Sequence, residues 1–254
     1  MTRFFSSFKK QPLDYPTPHL AAKQRIYCIG DIHGRYDLLK KIHTLILADA
    51  EDYADEITVV YLGDYIDRGP ESKQVIDYLL SKPLPQFKSI FLRGNHEQVL
   101  LDFIAPYNPP SNQWFNFGGL STLSSYNVRL KGIPNIADLP AIQEDLRQQL
   151  PASHLDFFQA SQTYYQQGDY YFVHAGVKPK LKLEKQIAAD LLWIREEFLN
   201  STDFHGKMIV YGHSITDKPD IQLNRIGIDT GAYYSNKLTC LVLENTQQRF
   251  LVTR

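Results

Sequence analysis

Arg25-Ile26-Tyr27-Cys28-Ile29-Gly30-Asp31-Ile32-His33-Gly34 decides how the rest of the chain is read. A short β-rich apolar run stops abruptly at a glycine, which predicts a strand over 25–29. A carboxylate and an imidazole follow two positions apart, and they share a side if the extended chain continues through them. Helical periodicity then takes over at 36–50. Strand, glycine-flanked polar turn and helix make one βα step.

The step repeats. Further strands are expected at 57–62, 89–92, 170–173, 208–211, 225–228, 238–243 and 249–252, and helices at 72–80, 97–104, 139–149, 154–166 and 187–199. Alternation in the first half predicts parallel βαβ units, while the last forty residues read as consecutive antiparallel strands. The stretch 105–168 breaks the alternation with Pro106, Pro109, Pro110 and the aromatic run Trp114-Phe115-Asn116-Phe117-Gly118-Gly119-Leu120. It is expected to be an inserted helical subdomain or lid, with those aromatics in its core or, alternatively, in contact with substrate. Residues 1–24 carry Pro12, Pro16 and Pro18 without periodicity and are expected to form an extended arm before one α/β domain over 25–254.

Composition narrows the function classes. The 254 residues hold 27 Lys+Arg against 28 Asp+Glu, a formal charge of −1, which argues against a protein built to hold nucleic acid through its phosphates. It leaves room for a small anion gripped at one local site. No apolar run long enough to span a membrane occurs, and the first ten residues lack the apolar stretch of a secretory signal. Cys28 and Cys240 each lie inside an apolar strand and read as buried reduced thiols, so the cytoplasm is the expected compartment.

Five polar clusters each stand directly behind a predicted strand. They are Gly30-Asp31-Ile32-His33-Gly34, Gly63-Asp64-Tyr65-Ile66-Asp67-Arg68-Gly69, Gly94-Asn95-His96-Glu97, His174-Ala175-Gly176 and Gly212-His213-Ser214. Sites in α/β sheets form at the carboxyl ends of strands, so five such ends can converge. Carboxylate, imidazole and amide oxygen without thiolate suit Mn²⁺, Fe or Zn²⁺. Any one cluster is weak: Asp203-Phe204-His205-Gly206 repeats the first motif but follows a helix end and polar turn, and reads as a surface loop.

The ordered set resembles the phosphoprotein phosphatase family of two-metal phosphoesterases, in the bacterial and phage branch that includes lambda phosphatase. The resemblance runs from about residue 25 to the end of the chain. It implies a calcineurin-like metallophosphoesterase fold, a central mixed β-sandwich flanked by helices. It also implies two divalent ions, with Mn²⁺ the usual activator: Asp31 and His33 on the first, Asp64 bridging both, and Asn95, His174 and His213 on the second. By the same resemblance His96 is a general acid oriented by Asp67, Arg68 binds phosphate, and Arg195 is a second, less closely matched phosphate arginine. The Ser-Ala-Pro-Asn-Tyr stretch of the eukaryotic branch is absent, and Ile228-Asp229-Thr230-Gly231-Ala232-Tyr233 stands where bacterial relatives carry a similar run. Eukaryotic regulatory subunits and toxin sensitivity are therefore not implied.

What the resemblance implies chemically is hydrolysis of phosphoserine, phosphothreonine and potentially phosphotyrosine esters in proteins by a metal-bridging hydroxide, with no covalent enzyme intermediate. The same clusters serve hydrolases of dinucleoside polyphosphates, and a catalytically silent binding scaffold would show a missing ligand or acid, which this chain does not. His19, His43, His154 and His205 read as arm, helix-face and loop residues. Arg35 reads equally as substrate-facing or solvated, Arg93 as pointing toward the site or as a structural ion-pair partner, and Asp37, Glu97 and Asp229 as capping residues or as supports for the ligands. Oligomeric state leaves no mark in the sequence.

Overall fold

A computed structural model describes residues 15–106, 110–130 and 132–253. Ten strands form two five-stranded mixed sheets. The first has the order β10-β9-β1-β2-β3, from β1 (Gln24–Ile29), β2 (Glu56–Tyr61), β3 (Lys88–Phe91), β9 (Thr239–Glu244) and β10 (Gln247–Val252). The second has the order β4-β5-β6-β8-β7, from β4 (Tyr164–Gln167), β5 (Tyr170–Val173), β6 (Met208–Tyr211), β7 (Asp220–Ile221) and β8 (Arg225–Gly227).

Within the first sheet β1, β2 and β3 run parallel, with Ile29 opposite Tyr61 and Tyr61 opposite Phe91. In the second, β5, β6 and β8 run parallel. The helices α1 (Tyr36–Asp49), α2 (Ser72–Leu80) and α3 (Asn95–Ile104) follow the first three strands. Then come α4 (Gln113–Asn116), α5 (Gly119–Ser125), α6 (Leu139–Gln149) and α7 (Ala152–Ala160). After β5 lie α8 (Ala188–Trp193) and α9 (Glu196–Leu199), and α10 (Ala232–Ser235) precedes β9.

Three apolar layers explain why the strands read as continuous hydrophobic runs. Ile26, Cys28, Val60, Phe172, Val210 and Leu241 fill the space between the sheets. The opposite face of the first sheet, with Tyr27, Ile29 and Val59, packs under α1 and α2 through Leu39, Ile42 and Val75. Tyr171, Val173 and Ile209 cover the other outer face against Leu191 and Phe198. Strands covered on both faces lose the polar alternation of a half-exposed sheet.

Three expectations are corrected. The helix expected over 154–166 ends at Ala160, because Gln162 N–H donates to Phe91 O (3.0 Å) and Arg93 N–H to Gln162 O (2.7 Å), tying the segment to β3 before β4 begins. Pairing with a distant strand outweighs the local helical pattern there. The helix expected over 187–199 is broken at Ile194 and Arg195, whose ψ values of 142° and −103° lie outside the helical region. The last strands are also not one meander: β9 and β10 pair as an antiparallel hairpin, whereas β8 joins the other sheet parallel to β6.

Of the expected N-terminal arm, residues 1–14 lie outside the described residues. Leu20 is buried, with its N–H donating to Asn245 O at 2.9 Å. Among the described residues no helix is long and apolar enough to cross a membrane. Ile26 has no exposed surface between the sheets, so Ile26→Ala should lower the unfolding free energy by about 2–5 kcal/mol in urea titrations with an unchanged m value.

Candidate metal centre

The parallel strands of both sheets end at one edge of the sandwich. β1 delivers Asp31 and His33, β2 delivers Asp64, Asp67 and Arg68, and β3 leads into Asn95 and His96 in the first turn of α3. From the second sheet β5 delivers His174, β6 His213 and β8 Asp229. Hydrogen bonds close the seam: His174 Nδ1 donates to Leu62 O at 2.9 Å, and His213 N–H to Asp31 Oδ2 at 2.9 Å.

All six ligand candidates, Asp31, His33, Asp64, Asn95, His174 and His213, are buried and meet here. Asp64 is central. Its Oδ2 lies 3.5 Å from His33 Nε2 and 3.7 Å from His96 Nε2, and its Oδ1 lies 3.4 Å from His174 Nε2. Asn95 Oδ1 lies 2.9 Å from His174 Nε2 and 2.8 Å from His213 Nδ1. Two triads with metal-binding spacing result, His33–Asp64–His96 and Asp64–His174–His213, joined through Asp64; His96 enters the first by proximity and is not one of the six ligand candidates.

The donor set asks for cations. His33 Nδ1 is 2.8 Å from Ile66 O, and His174 Nδ1 faces Leu62 O. A carbonyl only accepts, so both rings carry Nδ1–H and turn an Nε2 lone pair inward. His174 therefore aims a lone pair at Asn95 Oδ1, an acceptor facing an acceptor, which a cation between them relieves. Asp31 Oδ1 and His213 Nε2 are buried without a hydrogen-bond partner. Burial, then the charges of Asp229 and Asp64, pushes the Asp31 carboxyl well above the usual range. A positive ion removes that penalty. The residues fit divalent metal.

The imidazoles divide into two kinds. Burial drives the pKa values of His33, His174 and His213 down, keeping them neutral as metal ligands must be. Burial pulls on His96 in the same direction, but Asp64 and the Asp67 hydrogen bond outweigh it and raise its pKa. For Asp64 the order reverses: burial raises its pKa, and His174, His96, His33 and His213 together bring it below the usual carboxylate range.

Asp67 Oδ2 lies 2.7 Å from His96 Nδ1 and also accepts from Trp114 Nε1 at 2.9 Å. Its Oδ1 accepts from Thr122 Oγ1 at 2.6 Å. Trp114 and Thr122 come from α4 and α5, a contribution not foreseen from sequence, although a buried indole N–H requires an acceptor. Arg68 places Nη2 3.4 Å from His96 Nε2 and stacks its guanidinium 4.8 Å over the Tyr233 ring. Arg195, exposed at the break between α8 and α9, reaches Ser214 Oγ at 3.4 Å. Both arginines thus flank the centre, one on each sheet.

Glu97 accepts from the N–H groups of Gly94, Asp64 and Tyr65, each at 2.8 Å, so it caps α3 and also holds the Asp64 turn. A side chain on Gly94 would overlap Asp64 Oδ1 and its backbone nitrogen. Arg35, partly buried, donates to Ala232 O (2.9 Å) and Asn236 Oδ1 (2.7 Å), fixing α10, and pairs with Asp37. Arg93 donates to the carbonyls of Phe158 and Gln159 at the end of α7. Asp229 accepts from Gly231 N–H at 2.9 Å and keeps a buried, unpartnered Oδ2. His205 sits in the loop before β6, away from the cluster.

The sequence profile of the calcineurin-like phosphoesterase family matches residues 24–240. The chain belongs to this family. It is accordingly a hydrolase of the metallophosphoesterase class, whose centres are binuclear and metal-dependent, and its own candidate ligands are those placed above. This phosphoesterase is 25% identical to the bis(5′-nucleosyl)-tetraphosphatase PrpE of Anoxybacillus flavithermus, over 84% of its length and 88% of the relative's. It is 27% identical to serine/threonine-protein phosphatase 2 of Escherichia coli, over 85% and 91% of the two chains. The structure of a cold-active protein-tyrosine phosphatase from a Shewanella species shares its fold, with a TM-score of 0.53 at 17% identity over 93% of this chain and 82% of that one.

Two measurements follow from the geometry. Asp64→Asn should lower bound metal below two ions per chain in metal analysis, since one carboxylate faces both triads. In the metal-free protein, nuclear magnetic resonance titration should place His96 above an ordinary imidazole and the other three below it. The His96⁺ contribution to stability is then complete below the unfolded imidazole's pKa and disappears as pH rises through the folded one. Asp67→Asn should bring the His96 titration down.

Proposed function

We propose that this phosphoesterase is a phosphoprotein phosphatase that hydrolyses phosphoserine and phosphothreonine monoesters, with phosphotyrosine as a further substrate. The observation that carries the reading is the His96–Asp67 pair, 2.7 Å apart and held by Trp114 and Thr122. An alkoxide is a poor leaving group and needs a proton as the ester bond breaks. His96 is the one imidazole of the centre whose surroundings favour the charged form. Asp67 fixes its orientation and balances the imidazolium.

Asp31, His33, Asp64, Asn95, His174 and His213 would hold two divalent ions, for which Mn²⁺ is our proposal. When bound, these supply Lewis acidity at the phosphate and acidify water to a usable nucleophile. Arg68 and Arg195 would grip non-bridging phosphate oxygens from opposite sides and hold the ester in line. The stack on Tyr233 keeps the Arg68 guanidinium in place beside His96.

Dinucleoside polyphosphate hydrolysis is the second reading, favoured by the similarity to PrpE along most of both chains. The acid pair sits in clusters that both kinds of hydrolase share, so the two readings are ranked by substrate preference and differ in what 105–168 and Arg35 offer the substrate. Mn²⁺-loaded enzyme should show higher kcat/KM on phosphoserine and phosphothreonine peptides than on diadenosine tetraphosphate; the opposite ranking selects the second reading. His96→Asn should reduce kcat on the peptides by at least about tenfold with two metals retained, and unchanged turnover would remove His96 from the mechanism.

A further inference from the structure

Two rings border the leaving-group side of the centre. Phe117, half-buried, packs its ring 5.9 Å from that of His96 at an interplanar angle of 62°. Trp193 lies 5.8 Å from Phe117 and 6.4 Å from His213, nearly perpendicular to the latter at 85°. Trp193 is 39% exposed. An isolated exposed tryptophan requires no explanation. This one touches a ligand candidate and completes a continuous wall that begins at the proposed acid.

The wall is built rather than incidental. Trp114, three residues before Phe117, is buried with its N–H donated to Asp67, which anchors the segment. Gly118, next to Phe117, has φ of +97°, and a side chain there would overlap the Arg68 backbone. Arg68 N–H donates to Gly118 O at 3.3 Å, so the Phe117 turn is locked onto the turn that carries Arg68 and Asp67. On the other side of the wall, Trp193 ends α8 immediately before the break that presents Arg195.

We propose that Phe117 and Trp193 form a leaving-group subsite that receives a planar aromatic ring. The proposal rests on the phosphomonoesterase reading above, and it adds a preference among departing groups: those that carry a ring bind more tightly than those, such as serine and threonine, that do not. A leaving oxygen directed at His96 Nε2 brings the next atoms of its group against Phe117 and then Trp193. A flat ring can stack there at little conformational cost, whereas a short aliphatic chain leaves both faces wet. The ring can be the phenol of an aryl ester or the base of a nucleotide.

Phosphonates, which cannot be hydrolysed, separate ring binding from turnover. Calorimetric titration of the metal-loaded protein should show phenylphosphonate binding at least about threefold more tightly than methylphosphonate, the scale of one aromatic contact. Trp193→Ala, and independently Phe117→Leu, should bring that ratio toward one. The phosphonate isosteres of adenosine monophosphate and ribose 5-phosphate, equally inert, provide the parallel pair: an advantage that Trp193→Ala removes in that pair alone makes the ring a nucleobase, and in the phenylphosphonate pair alone a phenol. No ring advantage in either pair, or one that survives both substitutions, overturns the subsite. Failure of methylphosphonate and the ribose 5-phosphate isostere to bind at all would instead sink the phosphomonoesterase reading, and the subsite with it.

Discussion

A carboxylate sealed from water between four imidazoles, at the joint of two sheets, is the interaction on which the rest of this structure depends. Asp64 is held there by the backbone N–H of His96 in the first turn of α3. An ionised group so buried is tolerable only with compensating charge. The helix terminus gives part of it. The rest has to come from cations, because Asp31 and Asp229 add negative charge and three of the four imidazoles resist protonation. Because the ligand candidates are also the residues of the seam, bound metal should stabilise the junction of the two sheets.

The acid side of the centre obeys a different rule. His96 and Asp67 come from the β-strand framework, but the hydrogen bonds that orient Asp67 come from Trp114 and Thr122, some fifty residues further along. The segment between α3 and β4 thus contributes to the chemistry without offering a ligand. Phe117 comes from the same short stretch, so one piece of chain both holds the proton donor and borders the path of the departing group.

What could be read in the sequence was what chemistry forces onto strand ends. Asp31, Asp64, Asn95, His174 and His213 are each preceded by an apolar run and a glycine or a sharp polar switch, and that periodicity survives without tertiary information. Strands buried on both faces also announced themselves, as at Tyr170–Val173 and Met208–Tyr211, which match the expected bounds. The failures share a cause. The helix expected over 154–166 stops short because Gln162 pairs with the end of β3, and β8 leaves the expected meander because β6 offers it a parallel neighbour. Neither partner is local. Trp114 and Thr122 were hidden likewise, since an indole and a hydroxyl carry no trace of the carboxylate they will meet.

His33, Asp64, Asp67, Arg68 and His213 all have positive φ, between +46° and +70°. Most side chains avoid this region at a cost of about 1–2 kcal/mol each, with Asn, Asp and His among the more tolerant. Evolution therefore meets a double lock at these five positions, one on the atoms offered and one on the shape of the turn. A designer who transplants the constellation to another scaffold must import its bent peptide segments intact, since side chains grafted onto ordinary turns would aim elsewhere.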